Sequence, residues 1–143
     1  MAVSTHPVCQ FRILEGTGIV VMSRVTDWQG VKVLRSAVTK FTYYVYDLET
    51  SNGQPTLVTN GTADVTTSAS NWLDTYSTLG WTADSTGYNT ACPIPAALFI
   101  NPITRVKGGK RRVEIRGTPT AGDVFWVADL IVDLTDALSV GSA

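Results

Sequence analysis

Between Trp81 and Asn89 the chain reads W-T-A-D-S-T-G-Y-N, which places an aspartate, a glycine and a tyrosine in the order D-x-x-G-Y just before a segment able to form a strand. A tyrosine at such a corner can bond its hydroxyl back to nearby backbone and pin the chain as it enters the strand, an arrangement found in immunoglobulin-like sandwiches. Asp84, Gly87 and Tyr88 are therefore expected to be scaffold residues. The feature speaks to architecture and names no chemistry.

The rest of the chain agrees with an all-β reading, because strand signals are frequent and helix signals poor. Val20 to Val25 is a strand candidate, followed by the turn Asp27-Trp28-Gln29-Gly30. Phe41 to Leu48 (F-T-Y-Y-V-Y-D-L) is the clearest strand, rich in aromatic and β-branched residues, with Phe41, Tyr43 and Val45 on one face. Thr56 to Thr59 reads as a short strand, and 60–71 as a strand of weak pattern followed by a loop. Tyr88 to Cys92 is expected to be a strand that Pro93 and Pro95 end, since proline cannot donate to a sheet ladder. One short turn of helix is expected at Pro95 to Phe99. The last part reads as a hairpin. Arg112, Glu114 and Arg116 face one way and Val113 and Ile115 the other; after a turn at 118–123, Val124, Trp126, Ala128, Leu130, Val132 and Leu134 share a face of the returning strand.

The chain has 143 residues, a size that favours one domain with a real core. The expected division is an N-terminal arm over 1–10, a β-sandwich over 11–134 and a C-terminal extension over 135–143. Charged residues make up 16%, below the usual quarter, so Thr, Ser, Asn and Gly must cover much of the surface. The net charge of −1 gives no global attraction to nucleic acid or membranes. The first residues lack the basic and apolar regions of a secretory signal, and the longest apolar run, Ile19 to Met22, is too short to cross a bilayer. Cys9 and Cys92 form the one possible disulfide; spacing cannot show whether they meet, and free thiols are expected in a reducing cytosol.

Candidate chemistry is sparse. His6, the sole histidine, sits beside Pro7 in a polar leader, which is a poor place for a catalytic base. Two distant cysteines and one histidine do not make a zinc site. Asp129 and Asp133 would lie roughly 13 Å apart along a strand, at about 3.3 Å per residue, too far for a glycosidase pair. Gly16-Thr17-Gly18 and Gly108-Gly109-Lys110 lack the phosphate-loop pattern and read as turns. No enzymatic function and no cofactor are expected.

Charge is distributed unevenly. Arg105, Lys107, Lys110, Arg111, Arg112 and Arg116 follow a long stretch without basic residues. No ladder of aromatics accompanies them, so nucleic acid is not the expected partner. They are instead the candidate protein interface, because charge complementarity serves register and partner choice. Replacing Lys110, Arg111 and Arg112 with Ser is expected to weaken association and leave the fold intact. Among the tryptophans, Trp126 is expected in the core and Trp81 beneath the corner. Trp28 is the best exposed candidate for stacking on a sugar.

At Tyr43 to Leu48, Trp81 to Asn89 and Arg112 to Val127 the sequence resembles small β-sandwich virion proteins of tailed bacteriophages. The resemblance implies a structural role in the particle, made in the host cytoplasm and carried in the virion, with capsid or tail subunits as partners. Such domains act in symmetric sets, so a homo-oligomer in the particle is expected. A capsid decoration (cement) protein is the leading reading; a neck, tail or baseplate protein is the alternative within the class, and a carbohydrate-binding module the alternative outside it.

Overall fold

The computed structural model describes residues 9–14, 16–49, 54–100 and 109–135. His6, Arg105, Lys107 and residues 136–143 lie outside them. Eight strands and two short 3₁₀ turns follow one another among the described residues: β1 (Cys9–Leu14), β2 (Ile19–Ser23), a turn at Arg35–Ala37, β3 (Val38–Asp47), β4 (Thr56–Thr66), β5 (Trp72–Ser77), β6 (Tyr88–Ile94), a turn at Ala96–Phe99, β7 (Gly109–Pro119) and β8 (Phe125–Thr135). They form a five-stranded sheet, β1-β8-β7-β3-β4, and a three-stranded sheet, β2-β6-β5. The chain is all-β, and its two sheets share one core, as in a β-sandwich. Pairing is antiparallel except at one edge, where β1 runs parallel to β8 from Cys9↔Leu130 to Leu14↔Thr135. Cys9 and Gln10, expected in an arm, are thus strand residues.

The core follows the period-2 rule along β3, where Phe41, Tyr43 and Val45 point inward and are buried. Val113 and Ile115 of β7 do the same, as do Val21, Cys92 and Ile94 from the smaller sheet. Trp72 joins the two layers. It is fully buried, its ring lies 5.1 Å from that of Phe41 and 6.3 Å from that of Phe125, and its Nε1 donates to the Val33 carbonyl at 2.8 Å. Burying a tryptophan costs little when its N–H finds an acceptor in this way.

The expected alternation fails in β8. The β7–β8 register shifts between Ile115↔Ala128 and Arg116↔Trp126, so one extra residue sits on β8. Such a bulge reverses which side chains face inward. Ala128, Leu130, Val132 and Leu134 are buried as expected, but upstream it is Phe125 and Val127 that enter the core. Trp126, expected there, lies on the outer face half-buried, and Val124 is exposed. Phe125 also fills the space above Gly117, where a Cβ would come within 2.5 Å of its ring.

Two further departures have local causes. β6 continues through Pro93 to Ile94 instead of ending at Cys92. Pairing with β5 reaches only Thr90, so Pro93 needs no donor on that side while its other edge keeps register with Val20. β5 itself carries no clear alternation, and its register slips between its two paired positions. β4 runs the full length from Thr56 to Thr66 because a bulge at Asn60-Gly61 joins its halves. Asn60 takes a left-handed φ of 59°, and a Cβ on Gly61 would meet the Val58 carbonyl oxygen at 2.6 Å.

Candidate functional site

The basic segment was the leading candidate, and the structure sorts its members by position. Arg105 and Lys107 lie outside the described residues. Arg111 is 1% exposed, so its side chain is an interior group and does not face outward with the other basic residues. Its guanidinium donates to the carbonyls of Leu98 (3.3 Å) and Ile100 (3.0 Å) and to Asp47 Oδ1 (3.3 Å). The reason is register: Arg111 stands opposite Asp47 on β3 and beside the end of the 96–99 turn, whose last carbonyls need donors. The triple replacement with Ser would therefore damage the fold itself.

Arg112 and Arg116 do reach the outer face of the five-stranded sheet, where each already has partners. Arg112 forks onto Asp129, Nε to Oδ1 at 3.0 Å and Nη2 to Oδ2 at 2.7 Å, and its pKa is raised chiefly by that bond. Arg116 lies between two aromatic rings, 4.9 Å from the Tyr44 centroid and 4.8 Å from that of Trp126, with Glu114 at 3.4 Å. Lys110 is half exposed and 4.0 Å from Asp133. Among the described residues the face thus carries five cation–anion contacts, Arg112–Asp129, Arg112–Glu114, Arg116–Glu114, Lys110–Asp133 and Lys40–Asp64, and offers little unspent charge. Asp129 and Asp133 sit on β8, which is flanked by β1 and β7, so they do not guard an open edge.

The corner is built around Asp84. Its Oδ1 accepts from the backbone N–H groups of Thr86 (3.0 Å) and Gly87 (3.1 Å) and from Trp81 Nε1 (2.9 Å). Arg24 donates to the same oxygen at 3.0 Å, pairs with Oδ2 at 2.7 Å and donates to the Gly87 carbonyl at 3.1 Å. These bonds, that of Arg24 first, hold the Asp84 carboxyl far below the usual carboxylate range. Gly87 has a φ of 103°, and a Cβ there would lie 2.3 Å from the Ser77 carbonyl oxygen. The Tyr88 ring is buried against Trp81 at 5.7 Å, but its hydroxyl makes no hydrogen bond among the described residues. The aspartate does here what was expected of the tyrosine.

β2 ends at Ser23, before the Val25 expected from the sequence, and residues 24–34 form an excursion that contains the expected turn at Asp27-Trp28-Gln29-Gly30. Asn89, fully buried, holds its base: Oδ1 accepts from Val25 N at 2.7 Å, and Nδ2 donates to the carbonyls of Val25 (2.9 Å) and Val33 (3.3 Å). Asn89 was not singled out, because one asparagine inside a strand pattern gives no sign of reaching across to another segment. At the tip of the excursion Trp28 is 73% exposed and Val31 58%.

Among the described residues no group of three or more His, Cys, Asp or Glu side chains gathers to hold a metal ion. No helix among them is long and apolar enough to cross a membrane. Comparison with protein-family models, with curated proteins and with solved structures found no match.

Proposed function

We propose that this chain is a non-enzymatic virion structural protein of the tailed-phage type, an immunoglobulin-like sandwich that decorates the capsid as a set of copies and bridges neighbouring subunits. One observation carries the reading. Two of the three segments that bear the resemblance fold side by side, 43–47 in β3 and 112–127 across β7, its turn and the start of β8, as hydrogen-bonded neighbours in one sheet. The third, 81–89, forms the corner that enters β6 in the facing sheet. The shared segments thus build both layers of the scaffold.

A role of this kind is mechanical. Many modest contacts repeated around a shell add avidity that no single contact needs to supply. The self-paired charges of the outer sheet face suit a scaffold that keeps its own surface in order while other parts make contact.

The test is the position of the chain in particles produced from the genome that encodes it. Mass spectrometry of purified particles should find the chain, and a reconstruction should place its copies across the shell. Copies confined to one vertex or to the tail tip would replace decoration with a neck or baseplate role. Particles without the chain would reject the proposal.

A further inference from the structure

Among the described residues, the tip of the 24–34 excursion carries exposed apolar side chains that the fold does not use. Trp28 and Val31 stand there largely exposed, and a Cβ built on Gly30 would meet nothing within 4 Å, so the tip projects into open space. Leu79, 81% exposed, lies on the 78–87 connection. That connection emerges at the same end of the smaller sheet, since Ser23 at the end of β2 pairs with Thr90 near the start of β6. Exposed apolar side chains that share one end of a sheet can mark a contact site.

The tip is cross-braced by four hydrogen bonds of its own. Asp27 N donates to the Val31 carbonyl at 2.8 Å and Gly30 N to the Asp27 carbonyl at 3.0 Å. Asp27 Oδ1 accepts from Gln29 N and Val31 N, each at 2.9 Å. Entering a dry environment would keep these four N–H groups paired, which lowers the cost of burying the loop. Asn89, Trp72 Nε1 and Arg24 fix the base. A loop already held in one shape loses little entropy on binding.

Shape and charge choose the occupant. Small-molecule and sugar sites are concave with converging polar groups; this tip is convex, and the carboxylate of Asp27 is engaged by its own turn. A membrane surface selects surplus basic charge beside the apolar residues. Here Arg24, Lys32 and Arg35 are matched by Asp27, Asp74 and Asp84. Arg24 is paired with Asp84, and Lys32 is 5.2 Å over the Tyr76 ring. An exposed tryptophan on a neutral, preorganised tip fits instead the hot-spot pattern of protein interfaces, an anchor entering a desolvated pocket.

We propose that the tip from Asp27 to Val31 is a docking anchor that seats Trp28 and Val31 in a preformed apolar pocket of another protein subunit. This rests on the virion reading, which makes that subunit a shell protein. The test uses purified particles carrying the full chain with a photoreactive benzophenone amino acid at position 28. Irradiation should cross-link position 28 to an apolar segment of a shell subunit. Trp28→Ser should weaken association with particles about thirtyfold, the lower end of a hot-spot loss, with an unchanged urea midpoint, while Gln29→Ala keeps wild-type occupancy. A chain that is present in particles but yields no cross-link, or keeps its occupancy in Trp28→Ser, overturns the anchor and leaves the virion reading standing. A chain absent from particles overturns both. Binding to phosphatidylcholine–phosphatidylserine vesicles or to immobilised glycans that is lost in Trp28→Ser also overturns the anchor, since the occupant is then a lipid or a sugar.

Discussion

A guanidinium can sit inside a protein only when its donors are met, and Arg111 meets that condition with two carbonyls at the end of the 96–99 turn and with Asp47. Removing it would take a donor from those two carbonyls and from Asp47, which keeps the Glu49 N–H. Arg111→Ala is expected to cost about 3 kcal/mol, the lower end of the range for breaking a buried pair, because Asp47 keeps some solvent. Arg111→Lys should recover little, since one ammonium cannot span the same fork. Urea unfolding midpoints check both. At the corner, Tyr88→Phe is expected within about 0.5 kcal/mol of wild type, because the hydroxyl it removes has no partner among the described residues. Asp84 behaves otherwise. Its folded pKa is depressed, so its contribution is complete above the unfolded carboxylate value of about 3.9 and is lost as pH falls below that toward the folded value. The stability difference between wild type and Asp84→Asn should therefore be constant near neutrality and shrink below about pH 4. A difference that does not change with pH would remove Asp84 as the pin. D-x-x-G-Y was legible as a corner. That the carboxylate holds it was not, because Arg24 arrives from a segment sixty residues away in sequence.

β8 shows how far an alternating pattern can be read. From Ala128 to Leu134 every second residue is buried, as alternation requires, and the same count carried upstream predicts Trp126 inside and Phe125 outside. The bulge beside Val127 reverses that assignment. Both faces of the segment are apolar enough to be core, so local sequence cannot choose; the choice is made by Gly117 across the ladder, whose bare backbone receives the Phe125 ring. Two substitutions at adjacent positions separate the registers. Phe125→Ala should cost about 3 kcal/mol as a core truncation, and Trp126→Ala about 1 kcal/mol, the scale of its stacking on Arg116. The reverse order, measured by chemical denaturation, would place the bulge elsewhere. β3 needed no such help: its inward face, Phe41, Tyr43 and Val45, has no hydrophilic tip but one phenol, its outward face carries Lys40, Thr42 and two tyrosines, and no irregularity interrupts its pairing with β7 between Lys40 and Asp47. The basic segment was the opposite case. Its charge was plain in the sequence, but Arg111 turns inward and Arg112 and Arg116 find partners on β3, β7 and β8, so what looked like a patch is mostly internal pairing.

At the scale of the whole molecule, two sheets of unequal width close on one core, and the groups at that seam sense whether it stays shut. Cys92 on β6 is fully buried with a free thiol, and burial pushes its pKa up to about 12. Tyr43 on β3 is raised as well, by burial first and by Cys92 second, which places the two in electrostatic reach across the layers. A folded chain that holds these protons more tightly than the unfolded chain keeps its full stability below the unfolded pKa values, about 8.5 for a thiol and about 10 for a phenol, and loses it as pH rises toward the folded ones. Unfolding free energy should thus be flat up to about pH 8 and fall beyond it. Cys92→Ala should be less stable at neutral pH, because it opens a small cavity, yet show a shallower alkaline decline. The same thiol reports opening of the sandwich. A buried, protonated thiol is a poor nucleophile, so modification of Cys92 by a disulfide reagent at about pH 8 must wait for the sheets to part. Its rate should rise with urea in step with global unfolding. Reaction at the rate of a free thiol in the absence of denaturant would mean that the three-stranded sheet, whose β5–β6 pairing is sparse, opens on its own while the five-stranded sheet stays folded.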